Sequence, residues 1–156
     1  MSTHTTLTRW SRTGPDFLRR RYSRAHTWSF DGGLTVPASS SPHVVPPPWS
    51  DPGGIDPEEA FVASVSSCHM LWFLDVACSA GFVVEHYEDE AIGVMSENER
   101  GVLWISRITL RPRITWGGDR HPAPGEVEHL HHLAHDQCFI AASIRTEVVV
   151  EPRKEP

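Results

Sequence analysis

A run of small and apolar residues from Ala60 to Ala80 constrains the fold of this chain more than any other feature. The segment Asp56-Pro57-Glu58-Glu59 precedes it and supplies an N-cap carboxylate, a proline at the first helical position and acids near the positive end of the helix dipole. Gly81 follows the run, as glycine often follows a helix C-terminus. Because the run is apolar on every side, we expect a central helix that is buried all round.

Length and charge limit the class of protein. The chain has 156 residues, of which 39% are hydrophobic, and this is enough for one globular domain with a real core. Its net charge of −6 argues against a surface that binds nucleic acid. No stretch approaches ~18 uninterrupted apolar residues, and the N-terminus lacks a signal-peptide pattern. We therefore expect a soluble cytoplasmic protein without membrane contact.

Strands are predicted before the helix. The chain is extended from Phe17 to a turn at Asp31-Gly32-Gly33 and returns from Leu34, which predicts a hairpin. Residues 1–16 are expected to be a flexible tail and residues 17–156 a single domain. Seven of the thirteen prolines lie in residues 37–57, so this segment is predicted to be a long stiff loop. Such a loop is a lid, a binding segment, an interface arm or a surface crossover.

Strands are also predicted after the helix. Residues 82–95 and 102–116 are rich in β-forming residues and flank a polar turn, which predicts an antiparallel hairpin. A second helix is predicted over residues 124–142, with Cys138 on its apolar stripe, and a final strand over residues 144–150. The expected fold class is α+β.

Three cysteines are too few and too scattered for a secreted disulfide scaffold. Cys68 lies in the apolar helix, and Cys138 faces the core from the second helix. Cys78 is ~15 Å from Cys68 along the same helix, too far for a disulfide between them. Two buried cysteines can pack as small hydrophobic residues or form a redox pair, and their positions alone leave both readings open.

Four histidines crowd the second helix, at positions 129, 131, 132 and 135. His131 and His135 have the i, i+4 spacing of zinc ligands, but no acidic HExxH pattern accompanies them. A solvated or interface face is the favoured interpretation, and no metal site is predicted. His69 is predicted to be a packing residue.

Two motifs resemble those of the OsmC/Ohr family of peroxide-reducing proteins. Residues 56–68 read DPEEAFVASVSSC, with the family's ten-residue spacing between Glu58 and Cys68. Residues 134–140 read AHDQCFI, with Ser143 after them, and are similar to the second motif. The resemblance covers roughly residues 17–152. It implies an OsmC-like fold with N-terminal strands, a long buried central helix, an antiparallel hairpin, a second helix and a final strand.

The resemblance also implies a thiol-dependent peroxidase that needs no separate cofactor. Cys68 would attack the peroxide and become a sulfenic acid, and Cys138 would resolve it as an intramolecular disulfide. Glu58 would hold an arginine that lowers the pKa of the attacking thiol. The family's Gly-Arg segment is missing here, so Arg24 is the nearest candidate and Arg21 the next; either can also be an exposed strand charge.

The implied partners are a second copy of the chain, a hydroperoxide and a dithiol reductant, of which a lipoyl group is one type. Relatives of this kind are intertwined dimers with sites at the interface. An apolar wall of Phe61, Met70, Trp72 and Phe73 suits the alkyl tail of an organic hydroperoxide. The main alternative is a non-catalytic protein of the same fold that binds a small molecule or lipid. A metal-binding regulator built on the histidine face is a third.

Overall fold

The computed structural model describes residues 1–153, and along the chain strands come both before and after a long helix. The elements follow in the order β1 (Thr6–Arg9), β2 (His26–Phe30), β3 (Thr35–Ala38), α1 (Pro57–Ser79), β4 (Val83–Asp89), β5 (Ile92–Glu97), β6 (Leu103–Leu110), β7 (Pro112–Gly117), α2 (Pro124–Gln137), α3 (Phe139–Ala142) and β8 (Glu147–Val150). This mixture of helices and strands is the α+β class that the sequence predicts. The chain forms two compact units, Met1–Ala60 and Phe61–Pro156.

The first unit contains an antiparallel sheet in the order β1-β2-β3. Its β2–β3 hairpin turns at residues 31–34, as predicted. Two expectations were wrong. Residues 6–9, which were assigned to the tail, form strand β1, and residues 17–20 form a turn between Asp16 and Arg21 instead of a strand. The aromatic rings of Trp10, Phe17 and Tyr22 pack on one another there, and this clustering outweighs the β propensity of each ring alone.

The proline-rich segment 37–57 is held close to this sheet. Ser39 N donates to Ile55 O at 3.1 Å, and Ile55 N donates to Pro37 O at 3.1 Å. Arg24 N donates to the carbonyl of Trp49 at 2.8 Å. The two ends of the segment are therefore bonded to each other beside β3, and its middle is bonded to Arg24.

Helix α1 begins at Pro57 and ends at Ser79, close to the predicted bounds. Gly81 has a φ of +79°, and the amides of Gly81 and Phe82 donate to the carbonyls of Cys78 and Ala77 at 2.9 and 3.0 Å. This is the glycine-terminated helix end expected from the sequence.

The prediction that α1 is buried all round is wrong for the single chain. One stripe is buried, formed by Val65, His69, Phe73, Val76 and Ala77. Leu71 is 62% exposed on another side. The helix is long and apolar enough to cross a membrane by length and composition alone, a test that core helices of soluble proteins also pass.

The second unit replaces the predicted hairpin of two long strands with four shorter ones. Strand β4 pairs with β7, and β5 pairs with β6, both antiparallel, while β8 joins β6 in parallel. Each long strand is interrupted at the same corner, after Asp89 and at Arg111. There the Asp89 carboxylate accepts from the amide of Arg111 at 2.6 Å and from the hydroxyl of Ser66 in α1. The Asp89 side chain thus accepts a hydrogen bond from a backbone amide that would donate to a neighbouring strand if the sheet were continuous.

Two apolar clusters hold α1 against these strands. The first joins Phe73 of α1 to Ile114 of β7 and Leu130 of α2. The second joins Val65 of α1 to Ile108 and Leu110 of β6. The segments that carry Cys68 and Cys138 both pack in these clusters. Both thiols therefore lie within the second unit.

Candidate active site

Cys138 lies at a break between two helices. It ends α2 and begins α3, with φ −69° and ψ 108°, so the predicted continuous helix 124–142 is wrong at this residue. Its side chain is the reason: the sulfur accepts from the amide of Ala141 at 3.4 Å and caps the new helix. The residue is 1% exposed, so the prediction that it faces the core holds.

Cys68, in the middle of α1, lies close to Cys138. The Cys68 side chain is near enough to contribute to the raised pKa of the Cys138 thiol. Cys68 is half-buried, and Cys78, ten residues further along the helix, is exposed. The structure therefore brings together the two cysteines that the family motifs single out and leaves the third apart.

The environment of Cys138 keeps its proton in place. Burial raises the pKa of the Cys138 thiol to about 11, and the neighbouring Cys68 side chain acts in the same direction. At neutral pH Cys138 is therefore a neutral thiol.

Aromatic residues lie close to the two cysteines along the chain. Trp72, one turn after Cys68, packs edge-on against Phe139, the residue after Cys138, with ring centroids 5.3 Å apart. Phe139 is 70% exposed. Phe73, which was expected in an apolar wall facing substrate, is instead fully buried in the core.

Glu58 and Glu59 have different surroundings at the start of α1. Asp56 and Glu59 form a capping box: the Asp56 carboxylate accepts from Glu59 N at 2.7 Å, and Asp56 N donates to the Glu59 carboxylate at 3.3 Å. Glu58 takes no part in this cap. Among the described residues of its own unit it makes no hydrogen bond or ion pair, with Arg24 or any other residue. Helix capping therefore explains Glu59 and leaves Glu58 without a structural role.

The two candidate arginines, Arg24 and Arg21, have different surroundings within the first unit. The Arg24 guanidinium donates to the carbonyls of Arg20 and Tyr22 at 2.9 and 2.6 Å and lies over the Tyr22 ring, 3.8 Å from the centroid. It borders a cavity of about 460 Å³ together with Trp10 and Phe17. Arg21, in contrast, is exposed in the turn beside Asp16.

Two histidines form a buried pair that sequence analysis missed. His69 Nε2 and His131 Nδ1 are 3.1 Å apart and hydrogen-bonded, and the residues are 1% and 5% exposed. His69 is a packing residue, as predicted, but His131 does not belong to a solvated face. A signal existed: His131 lies four residues after Val127 and seven before Cys138, on the apolar stripe of its helix.

Both rings are neutral at physiological pH. Burial, with a smaller contribution from nearby His135, lowers the pKa of His69 to about 4. Burial also lowers the pKa of His131 to about 3, with further contributions from His69 and His132. Within the described part of the chain, no group of three or more His, Cys, Asp or Glu side chains is placed to hold a metal ion.

Comparison with known proteins agrees with the two sequence motifs. The family model for OsmC-like proteins matches residues 50–153. No curated protein matches the chain. The structure of an OsmC-like protein of unknown function from Vibrio cholerae O1 biovar eltor is 47% identical, with a TM-score of 0.95 over 98% of this chain and 100% of that one.

More distant structures share the fold. The organic hydroperoxide resistance protein OhrB of Bacillus subtilis is 18% identical, with a TM-score of 0.68 over 97% of this chain and 98% of that one. An organic hydroperoxide resistance protein OsmC from Legionella pneumophila is 19% identical, with a TM-score of 0.67 over 97% of both chains. With the family match over residues 50–153 and the V. cholerae likeness over nearly the whole length, the chain belongs to the family of OsmC-like proteins.

Proposed function

We propose that this protein is a cysteine-based peroxidase that reduces organic hydroperoxides. The observation that carries the proposal is the proximity of the Cys68 and Cys138 side chains in the second unit, where Cys68 contributes to the raised pKa of the Cys138 thiol. The family and the hydroperoxide resistance proteins of the same fold support the reaction class.

The reaction needs two thiols in contact. The Cys68 thiolate attacks the terminal peroxide oxygen, which keeps its hydrogen, and the O–O bond breaks, so Cys68 becomes a sulfenic acid. The alkoxide leaves and takes from solvent the proton that the thiol released when it ionised. Cys138 then attacks the sulfenic sulfur, and water leaves as the disulfide forms. A dithiol returns both cysteines to thiols and is itself oxidised to a disulfide.

Burial supports this assignment of the two roles. Because the pKa of Cys138 is raised to about 11, Cys138 holds its proton at neutral pH. Cys68 is the less buried sulfur, so it is the one suited to meet a peroxide from solvent. Cys138 loses its proton only after the sulfenic acid has formed beside it.

The surroundings of the two thiols favour an apolar substrate, and the exposed side of α1 favours a dimer. Trp72 and Phe139 flank the thiols, and Leu71 and Phe139 expose apolar surface beside them. A second copy of the chain would cover the exposed side of α1, so we propose a homodimer. The expected dithiol reductant, of the lipoyl type, and a reducing cytoplasmic location belong to the same proposal.

Disulfide mapping tests the proposal directly. Mild treatment with cumene hydroperoxide should join Cys68 to Cys138 within one chain and leave Cys78 free, because Cys68 and Cys138 lie near each other whereas Cys78 is exposed further along α1. Peptide mass mapping after alkylation of free thiols reads out the result. A disulfide that contained Cys78 would contradict the assignment of the pair.

Glu58→Gln should lower the rate of peroxide reduction, whereas Glu59→Gln should not. Glu58 stands at the family spacing and has no capping role, while glutamine can replace Glu59 in the capping box. We expect a loss of about tenfold to a hundredfold for Glu58→Gln, the size of effect produced by misplacing a catalytic group. Steady-state turnover of cumene hydroperoxide by the two variants is the measurement, and equal losses would remove the role of Glu58.

Arg24→Met should shift the alkylation of Cys68 to higher pH, because the positive charge that favours the thiolate is removed. Arg21→Met is the matched control and should leave the curve in place, since Arg21 is exposed in a turn. The pH dependence of iodoacetamide alkylation in a Cys78→Ser background measures this shift. If neither variant moves the curve, the cation is another residue.

A binding protein without catalysis is the second candidate. A groove of about 880 Å³ in the second unit favours it; four prolines and four valines line the groove, together with three histidines of α2 and a few other residues. Failure of the disulfide to form under peroxide, together with retention of an apolar ligand through purification, would support this candidate over the peroxidase.

A further inference from the structure

Helix α2 contacts α1 through one polar pair inside an otherwise apolar contact. His131 donates or accepts the single hydrogen bond to His69, and its ring stacks on Phe73 with centroids 4.4 Å apart. His69 and Phe73 are one turn apart on α1, so His131 is held between two successive turns of that helix.

The contact continues from the histidines to the thiols. His69 is adjacent to Cys68 in α1, and Cys138 follows His131 by two turns. At the other end the Cys138 thiol lies near Cys68, and Phe139 packs on Trp72. The histidine pair is therefore next to the sulfur pair on α1 and two turns from it on the other segment.

We propose that the hydrogen bond between His69 and His131 is a positioning contact that sets the placement of α2 on α1 and thereby holds Cys138 against Cys68. The proposal rests on the proposed disulfide chemistry and adds two residues to it that touch neither sulfur. It concerns how closely the thiols are held, a property separate from the reaction with peroxide.

The chemistry of the pair suits this role. Each ring is neutral and carries one N–H, so in the N···N bond one ring donates and the other accepts, and no charge is buried. A hydrogen bond has a preferred length and angle, whereas apolar packing tolerates sliding. A single directional bond inside an apolar contact can therefore select one arrangement of the two helices.

The test is the effective concentration of the Cys68–Cys138 disulfide, measured from its equilibrium with reduced and oxidised glutathione at pH 7. The variants are His69→Leu combined with His131→Leu, which removes both hydrogen-bonding partners at similar volume, and His131→Asn, whose side-chain amide keeps a hydrogen-bonding atom at the δ position. His132→Leu, on the exposed side of the same helix, is the control. All carry Cys78→Ser.

We expect the double leucine variant to lower the effective concentration about tenfold, because a displacement of ~1 Å removes much of the advantage of proximity. His131→Asn should retain most of the wild-type value, although it packs less well and lowers the melting temperature. His132→Leu should have no effect. If the histidine pair only stabilised the fold, the effective concentration would follow the stability of each variant. The double leucine variant would then have a higher effective concentration than His131→Asn.

Two results would overturn the proposal: a wild-type effective concentration in the folded double leucine variant, or an equal loss in His131→Asn. If the double variant does not fold, the effective concentrations of the single variants His131→Leu and His131→Asn are compared instead, and the same order is expected. Glutathione oxidises the pair without peroxide, so a protein that forms the disulfide normally but reduces no hydroperoxide would contradict the proposed function and not the positioning contact.

Discussion

Cys68→Ser is expected to abolish hydroperoxide reduction, with a loss of about a thousandfold or more, because a serine hydroxyl cannot replace a thiolate nucleophile. Cys138→Ser is expected to behave differently. The first turnover should proceed, and then a sulfenic acid should accumulate on Cys68, since no second sulfur lies in contact to resolve it.

Stopped-flow peroxide consumption and sulfenic acid trapping with dimedone distinguish these outcomes. Cys78→Ser is the matched control, because Cys78 is exposed and ten residues from Cys68 along α1, and it should keep full activity. A Cys138→Ser protein that consumed no peroxide in the first turnover would show that Cys138 does more than resolve. Full activity in Cys68→Ser would contradict the proposed peroxidase outright.

Acid is expected to destabilise the fold through the buried histidines. In the folded protein the pKa of His69 is about 4 and that of His131 about 3, whereas both are near 6.5 when unfolded. Below about pH 6.5 the unfolded chain therefore binds more protons than the folded one, and the free energy of unfolding falls as pH falls. The loss should reach several kcal/mol by pH 4, comparable with the whole stability of a small domain.

Urea denaturation between pH 7 and pH 4 measures this loss. His132 and His135 of α2 are the titratable groups near the pair, and they remain in all variants compared. The variant in which leucine replaces both His69 and His131 should lose markedly less stability over this range than the wild type. Identical pH profiles for the two proteins would show that the pair does not account for the acid sensitivity.

Local interactions explain which parts of the fold the sequence predicts correctly. The start of α1 follows from Asp56 and Pro57, and its end follows from Gly81, because caps depend on a few neighbouring residues. The β2–β3 hairpin follows from its glycine turn for the same reason. The break at Cys138 was missed, since a cysteine sulfur that caps a helix has no propensity signal.

The sequence by itself determined the helix that carries Cys68, the α+β class and the family, because apolar periodicity, caps and motif spacing are all written along the chain. Only the tertiary structure decided the contact of Cys68 with Cys138 and the pairing of His69 with His131. Those residues are seventy and sixty-two positions apart, and they meet because both helices pack into shared apolar clusters. The shift of each pKa depends on that burial, so it too arises only in the folded chain.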